Sequence, residues 1–157
     1  LKSLPRKGYL VKPVTQRSIK ESFQMRSILE KAAVGLAVEN ASDMELEEIL
    51  NLSMKFPEGS QDKETTGFNK LNGMFHMLIA RATHNSLLIE MFEGIMENLS
   101  RILMIDCRQV KFTNEKIDHI NMAKALIERD SKKAEKLVEE HISHLKQRIY
   151  ANGGVSV

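Results

Sequence analysis

Three histidines and an asparagine have the residue types and the spacing of a metal site. Asn72 and His76 lie four residues apart, and His119 and His141 follow in later segments of helical pattern. Residues at i and i+4 share one face of a helix, so Asn72 and His76 can reach one point together. Imidazole nitrogens bind zinc, copper, nickel or iron, and an amide oxygen is a weaker, neutral ligand. The pattern therefore suggests a metal held between helices.

The two later histidines fall on apolar faces of their predicted helices. His141 shares a stripe with Val138, and His119 shares a face with Ala123. A buried polar group without a partner costs about 1–3 kcal/mol, so each histidine needs one. A single histidine in such a position is usually a hydrogen-bonded core residue, whereas three in separate helices favour a shared metal. His144 could substitute as a ligand, although its place at the edge of the stripe favours a surface or supporting role.

Length and composition indicate one helical domain. The chain has 157 residues, and most of its three prolines and eight glycines lie near the ends or in one loop. The single cysteine, Cys107, excludes an internal disulfide and fits a reducing cytosol, so we expect a cytoplasmic protein. No apolar run approaches the roughly 20 residues of a membrane helix.

Helix caps and apolar periodicity predict an all-α fold, an antiparallel bundle of about six helices after a short extended arm at 8–13. Thr15 is the predicted N-cap of the first helix, whose apolar positions include Ile28. Ser42 and Glu45 form a capping box for the second helix. The predicted helices run from about 15 to 41, 42 to 56, 62 to 83, 86 to 108, 113 to 129 (with Thr113 as cap) and 130 to 150.

The basic residues are unevenly distributed. The net charge is +2, but residues 1–20 carry six basic side chains and no acidic one. A basic arm on an acidic body suggests that only the arm lies near a polyanion. A solvated basic terminus explains the charges equally well.

Short motifs stand in a characteristic order between residues 8 and 150. Residues 23–30 contain Arg-x-x-Leu-Glu, the Phe-His pair at 75–76 is followed by Asn-Ser-Leu-Leu at 85–88, and a His…Ala…Asp…Ala…His series spans 119–141. Together they resemble the FCD ligand-binding domain of GntR-type bacterial transcription regulators, in the FadR-like branch. The resemblance implies an effector-binding, dimerising regulatory domain that is not an enzyme.

By position, the resemblance implies the metal ligands Asn72, His76, His119 and His141, and a divalent metal such as zinc or nickel. The family often has aspartate where this chain has Asn72. An amide supplies less negative charge, so metal affinity could fall, or the site could work without metal. A bound metal would keep its full charge and attract a small carboxylate-like effector.

Two arginines are candidate contacts for such an anion: Arg26 in the first helix and Arg101 in the fourth. Arg26 also lies one turn before Glu30, which predicts a structural ion pair equally well. Both roles are compatible.

The resemblance also suggests a division of the chain. Residues 1–14 look like the end of a winged-helix wing and its linker, 15–150 like the effector-binding and dimerisation domain, and 151–157 like a disordered tail. We therefore expect operator DNA to be bound only through a winged-helix domain that this sequence lacks. We expect a homodimer, formed through surplus apolar residues of the first and fourth helices: Met25, Val34, Val38, Met91, Ile95, Met104 and Ile105.

Two other functions stay open at this stage. A metal-dependent, hydrolase-like enzyme is possible because an open metal site can activate water. The sequence contains neither His-Glu-x-x-His nor Glu-x-x-His, which argues against it. A metal-free helical interaction module, with histidines as packing residues, is the third interpretation.

Overall fold

Six helices make up most of the structure. The computed structural model describes residues 2–4, 8–10, 14–57, 65–106 and 115–151. A short antiparallel hairpin of β1 (Lys2–Leu4) and β2 (Gly8–Leu10) precedes the helices, with Lys2 opposite Leu10. The helices are α1 (Gln16–Asn40), α2 (Asp43–Met54), α3 (Thr65–Arg81), α4 (Ser86–Asp106), α5 (Glu115–Ile127) and α6 (Ser131–Ala151). The predicted all-α bundle of six helices is confirmed.

Side-chain hydrogen bonds cap the first two helices at the residues that the sequence predicts. The Thr15 hydroxyl accepts a hydrogen bond from the backbone N–H of Ser18, and the Ser42 hydroxyl accepts one from that of Glu45. Glu45 in turn accepts a hydrogen bond from the backbone N–H of Ser42, at 2.8 Å. These bonds satisfy N–H groups that the first turn of a helix leaves unpaired. The predicted cap at Thr113 lies outside the described residues.

Helix α1 lies at the centre of the packing. It contacts α6 and α4 most extensively and also touches α3 and α5, while α2 packs on α5 and α3. The start of α1 shares a groove with the end of α4, so the two helices run antiparallel. None of the described helices is long and apolar enough to cross a membrane.

The buried face of α1 contains two charged residues. Arg26 and Glu30 are buried in the same stripe as Phe23, Ala33 and Ala37. The spacings along this stripe alternate between three and four residues, which is the repeat of one helix face.

One prediction for α1 is wrong, and one of its apolar positions lies outside the core. Ile28 is 61% exposed, because it lies two residues from Arg26 and so on the opposite side of the helix. Val34, expected on the outer face, is fully buried beside Ala33 and Ala37. The side chains of Met104 and Ile105 lie outside the described residues.

Candidate metal centre

Three buried histidines meet at the middle of the bundle. His76 lies on α3, His119 on α5 and His141 on α6, and none is more than 1% exposed. One ring nitrogen of each lies within 4.8 Å of the others. The Nε2 atoms of His76 and His119 are 3.3 Å apart. Bonds of about 2.0–2.1 Å to a tetrahedral metal place neighbouring nitrogens roughly 3.3 Å apart.

Asn72 completes the predicted group of four residues. It lies one turn before His76 on α3 and is buried, and its Oδ1 is 3.2 Å from Nε2 of His76. The i, i+4 spacing thus gives the contact that the sequence predicts. The structure brings all four residues to one place.

A carboxylate on α1 orients the ring of His76. Glu30 Oε1 contacts Nδ1 of His76, while Glu30 Oε2 accepts a hydrogen bond from Nε of Arg26 at 2.8 Å. An ionised carboxylate only accepts hydrogen bonds, so the proton of the neutral His76 ring belongs on Nδ1. The lone pair of Nε2 therefore lies on the side of Arg26, Asn72 and His119. Metal-binding histidines are commonly oriented by a carboxylate in this way.

Two further carboxylates lie behind His141. Its Nδ1 is 3.5 Å from Glu115 Oε2 and 3.6 Å from Asp118 Oδ2. Asp118 Oδ2 is also 3.8 Å from Nδ1 of His144, whose side chain is 57% exposed. His144 therefore lies at the surface and joins the cluster only through Asp118. We did not predict Glu115 from the sequence, although it lies four residues before His119 on the same inward stripe of α5.

Aromatic rings hold His119 in place. Its imidazole stacks on Phe56, with ring centroids 4.2 Å apart and planes inclined by 30°. Phe75 meets it edge-on at 4.5 Å. These rings confine His119 while leaving its nitrogens open to other partners.

Several buried polar atoms have no hydrogen-bond partner in the described part of the chain. Among them are Nδ1 of His119, both ring nitrogens of His141 and Nη1 of Arg26. Buried polar groups are nearly always paired, so such a concentration requires an explanation. Neutral imidazoles with free lone pairs fit a late transition metal, and an unpaired guanidinium nitrogen fits an anion.

Burial keeps His76 and His119 neutral. Burial lowers the pKa of His76 to about 4, and Glu30 opposes this shift without reversing it. The pKa of His119 falls well below its ordinary value, because of burial and then because of the neighbouring His141 and His76. Burial alone would raise the pKa of Glu30, but the charge of Arg26 and the contact with His76 outweigh it and hold that pKa below its usual range.

The two candidate effector arginines lie in different places. Arg26 is fully buried, and its Nη2 is 2.8 Å from Nε2 of His76. Arg101 lines a groove between α1 and α4 with Ser18 and Asn98, and that groove includes none of the three histidines. Only Arg26 is therefore placed to contact a ligand at the cluster, and the effector role of Arg101 stays a prediction.

The depressed histidine pKa values predict a pH-dependent stability of the chelator-treated protein. Histidines that stay neutral when folded take up protons on unfolding below pH 6.5, so stability should fall from that pH down to about 4. Each such group contributes up to about 1.4 kcal/mol per pH unit. The His119→Phe variant, which keeps the ring stack, should show a shallower dependence in urea unfolding than the wild type. Equal slopes for the two proteins would contradict the neutral-histidine assignment.

Comparison with curated proteins identifies relatives among transcriptional regulators. The Nta operon transcriptional regulator of Aminobacter aminovorans is 23% identical over 136 residues, covering 87% of this chain and 63% of that protein. The HTH-type transcriptional regulator YdhC of Bacillus subtilis (strain 168) is 26% identical over 149 residues, covering 90% of this chain and 62% of that protein. The chain thus spans less than two thirds of the length of either relative.

Solved structures share the fold at low sequence identity. E. coli McbR/YncC has a TM-score of 0.77 and 21% identity, over 95% of this chain and 76% of its own. The metal-free FCD domain of TM0439 has a TM-score of 0.71 and 19% identity, over 90% of this chain and 97% of its own. A GntR family member from Pseudomonas syringae pv. tomato has a TM-score of 0.72 and 18% identity, over 94% of this chain and 62% of its own. A model of the FCD domain matches residues 21–144, and the chain therefore belongs to the FCD domain family.

Proposed function

We propose that this domain senses a small carboxylate-like anion through a metal bound by Asn72, His76, His119 and His141. The observation that carries the proposal is a fully buried arginine beside the histidine cluster, with one guanidinium nitrogen unpaired among the described residues. A guanidinium can donate two parallel hydrogen bonds to a carboxylate, which makes it a specific anion contact. The role is regulatory, in keeping with relatives that are transcriptional regulators.

The charges around the cluster favour an anionic ligand. His76 and His119 are neutral, Asn72 is uncharged, and Glu30 balances Arg26. A divalent cation among these four ligands would add two positive charges that none of them cancels. Glu115 and Asp118 lie 3.5 and 3.6 Å from Nδ1 of His141, whereas Arg26 lies beside His76. A carboxylate arriving beside Arg26 would therefore meet positive charge.

The donor set suits zinc or nickel, since both bind neutral imidazole well. The Asn72→Asp variant should bind zinc at least about tenfold more tightly, because it adds a negative charge next to the cation. Asn51→Asp, which adds the same charge at an exposed position of α2, is the matched control and should leave the affinity unchanged. Isothermal titration calorimetry measures both. An Asn72→Asp affinity equal to that of the control would remove Asn72 from the ligand set.

The anion should stabilise the folded domain. Dicarboxylates, hydroxy acids or sugar acids should raise the melting temperature of zinc-loaded protein, because a ligand selective for the folded state stabilises it by mass action. Arg26→Gln should abolish this rise. Arg17→Gln should retain it, because Arg17 belongs to an exposed pair with Glu21 on the same helix. A carboxylate library that leaves the melting temperature of the loaded wild type unchanged would contradict anion sensing.

We also propose that the domain forms a homodimer through one face of α1 and α4. This face carries the exposed side chains Met25 and Ile28 on α1 and Leu87 and Met91 on α4. Because the two helices are antiparallel neighbours, these side chains would form one apolar surface. A second copy of the chain is the occupant we favour, since a two-fold axis pairs one patch with itself.

The dimer face can be tested with charged substitutions. Ile28→Glu combined with Met91→Glu should give monomers in analytical ultracentrifugation, because four buried charges at a two-fold interface would be costly. Met44→Glu, an exposed methionine on α2, should leave the dimer intact. A wild-type monomer at high micromolar concentration, or a dimer that survives both changes, would disprove this interface.

Binding of operator DNA is proposed for the longer protein to which this domain would belong. The curated relatives extend well beyond the matched region, and one is described as HTH-type. A dimeric sensor could set the spacing of two DNA-binding domains, so that effector binding changes the affinity of the longer protein for its operator.

A further inference from the structure

The buried arginine and a metal would require the same lone pair of His76. Nη2 of Arg26 lies 2.8 Å from Nε2 of His76, and every nitrogen of a guanidinium is a donor. His76 Nε2 must therefore accept, and its proton lies on Nδ1 beside Glu30. A neutral imidazole has one lone pair in the plane of its ring. That lone pair is engaged by Arg26 in this structure.

A transition metal binds neutral histidine through the same lone pair, at about 2.0–2.1 Å. A guanidinium hydrogen at its present position would lie along the same direction. The two cations would also repel each other at this distance, in a buried environment where water screens little. Arg26 in its present position and a metal on His76 are therefore mutually exclusive.

We propose that Arg26 is a built-in competitor of the metal and couples its binding to that of the anion. This inference rests on the proposed function and concerns how the site is regulated. For His76 to bind a metal, Nη2 of Arg26 must leave Nε2. The guanidinium then presents Nη1 and Nη2 to an incoming carboxylate. Conversely, an anion that engages Arg26 draws it away from His76 and raises the affinity for metal, as reciprocal linkage requires.

Glu30 would hold the Nε end of Arg26 while its terminal nitrogens move from His76 to the anion. Its Oε2 accepts from Nε of Arg26 at 2.8 Å, while its Oε1 contacts Nδ1 of His76. The guanidinium can thus turn its two terminal nitrogens while its Nε–H bond to Glu30 is kept. The neutral side chain of Asn72 strengthens this coupling between metal binding and anion binding. An aspartate there would offer Arg26 a second carboxylate and would partly neutralise the metal, and both effects would reduce the need for an external anion.

The competition predicts that removing Arg26 tightens metal binding. The full chain would be stripped of metal and titrated with zinc in a buffer free of carboxylates, using isothermal titration calorimetry. Arg26→Gln should bind zinc at least about tenfold more tightly than the wild type, within the usual range of coupling factors. Arg17→Gln removes the same charge from an exposed i, i+4 pair with Glu21 and should stay within about twofold, since surface charges are well screened. Folding of each variant is checked by circular dichroism.

An affinity of folded Arg26→Gln that equals or falls below that of the wild type would overturn the competition. Zinc uptake by the variant alone would support it, and uptake by neither protein would overturn it. Because the titration contains no anion, a failed carboxylate screen contradicts the proposed sensing without affecting this result. Unchanged zinc affinity contradicts only the competition.

A measurement on the wild type covers the case in which Arg26→Gln does not fold. In a crystal structure of the zinc-loaded wild-type chain, Nη2 of Arg26 should lie beyond hydrogen-bond distance of His76 Nε2, with Nε still on Glu30. Zinc bound to His76 through Nδ1, or to the other histidines alone with the Arg26–His76 contact intact, would overturn the proposal.

Discussion

The centre of this domain depends on the contacts that the carboxylate of Glu30 makes with Arg26 and His76. One oxygen binds the guanidinium of Arg26 and the other contacts the ring of His76, all three side chains being essentially excluded from water. Removing one partner from a buried pair typically costs about 3–5 kcal/mol, because the other charge is left uncompensated. The same contact places the proton of His76 on Nδ1. It therefore determines the direction in which the lone pair of Nε2 points.

The remaining geometry follows from helix packing around that contact. Side chains from α1, α3, α5 and α6 converge on one point, and each comes from the middle of a helix or its first turns. Rigid helices hold such a constellation more accurately than loops do. Phe56 and Phe75 enclose His119 and exclude water, and this burial lowers the histidine pKa values. Neutral imidazoles are in turn the form that a metal requires.

Helix α1 carries both the proposed sensing residue and part of the proposed dimer surface. Arg26 and Glu30 point inward, whereas Met25 and Ile28 lie on the exposed side of the same helix. Any rearrangement of the buried guanidinium therefore occurs on an element that would contact the partner subunit. In a closely packed bundle, small shifts at a ligand site are transmitted as movements of whole helices.

The sequence by itself determined the six helices, two of their caps and the contact of Asn72 with His76, because capping, periodicity and i, i+4 spacing are local properties. That His119 and His141 join this pair was expected from their apolar helix faces and from the family resemblance, and the packing of α5 and α6 decides it. It indicated an ion pair between Arg26 and Glu30, but only the tertiary structure decided that this pair is buried against His76. The outer position of Val34 was wrongly predicted, and Glu115 near His141 was missed. Their environments depend on which neighbouring helices cover each face, and contacts between residues distant in sequence have no local signature.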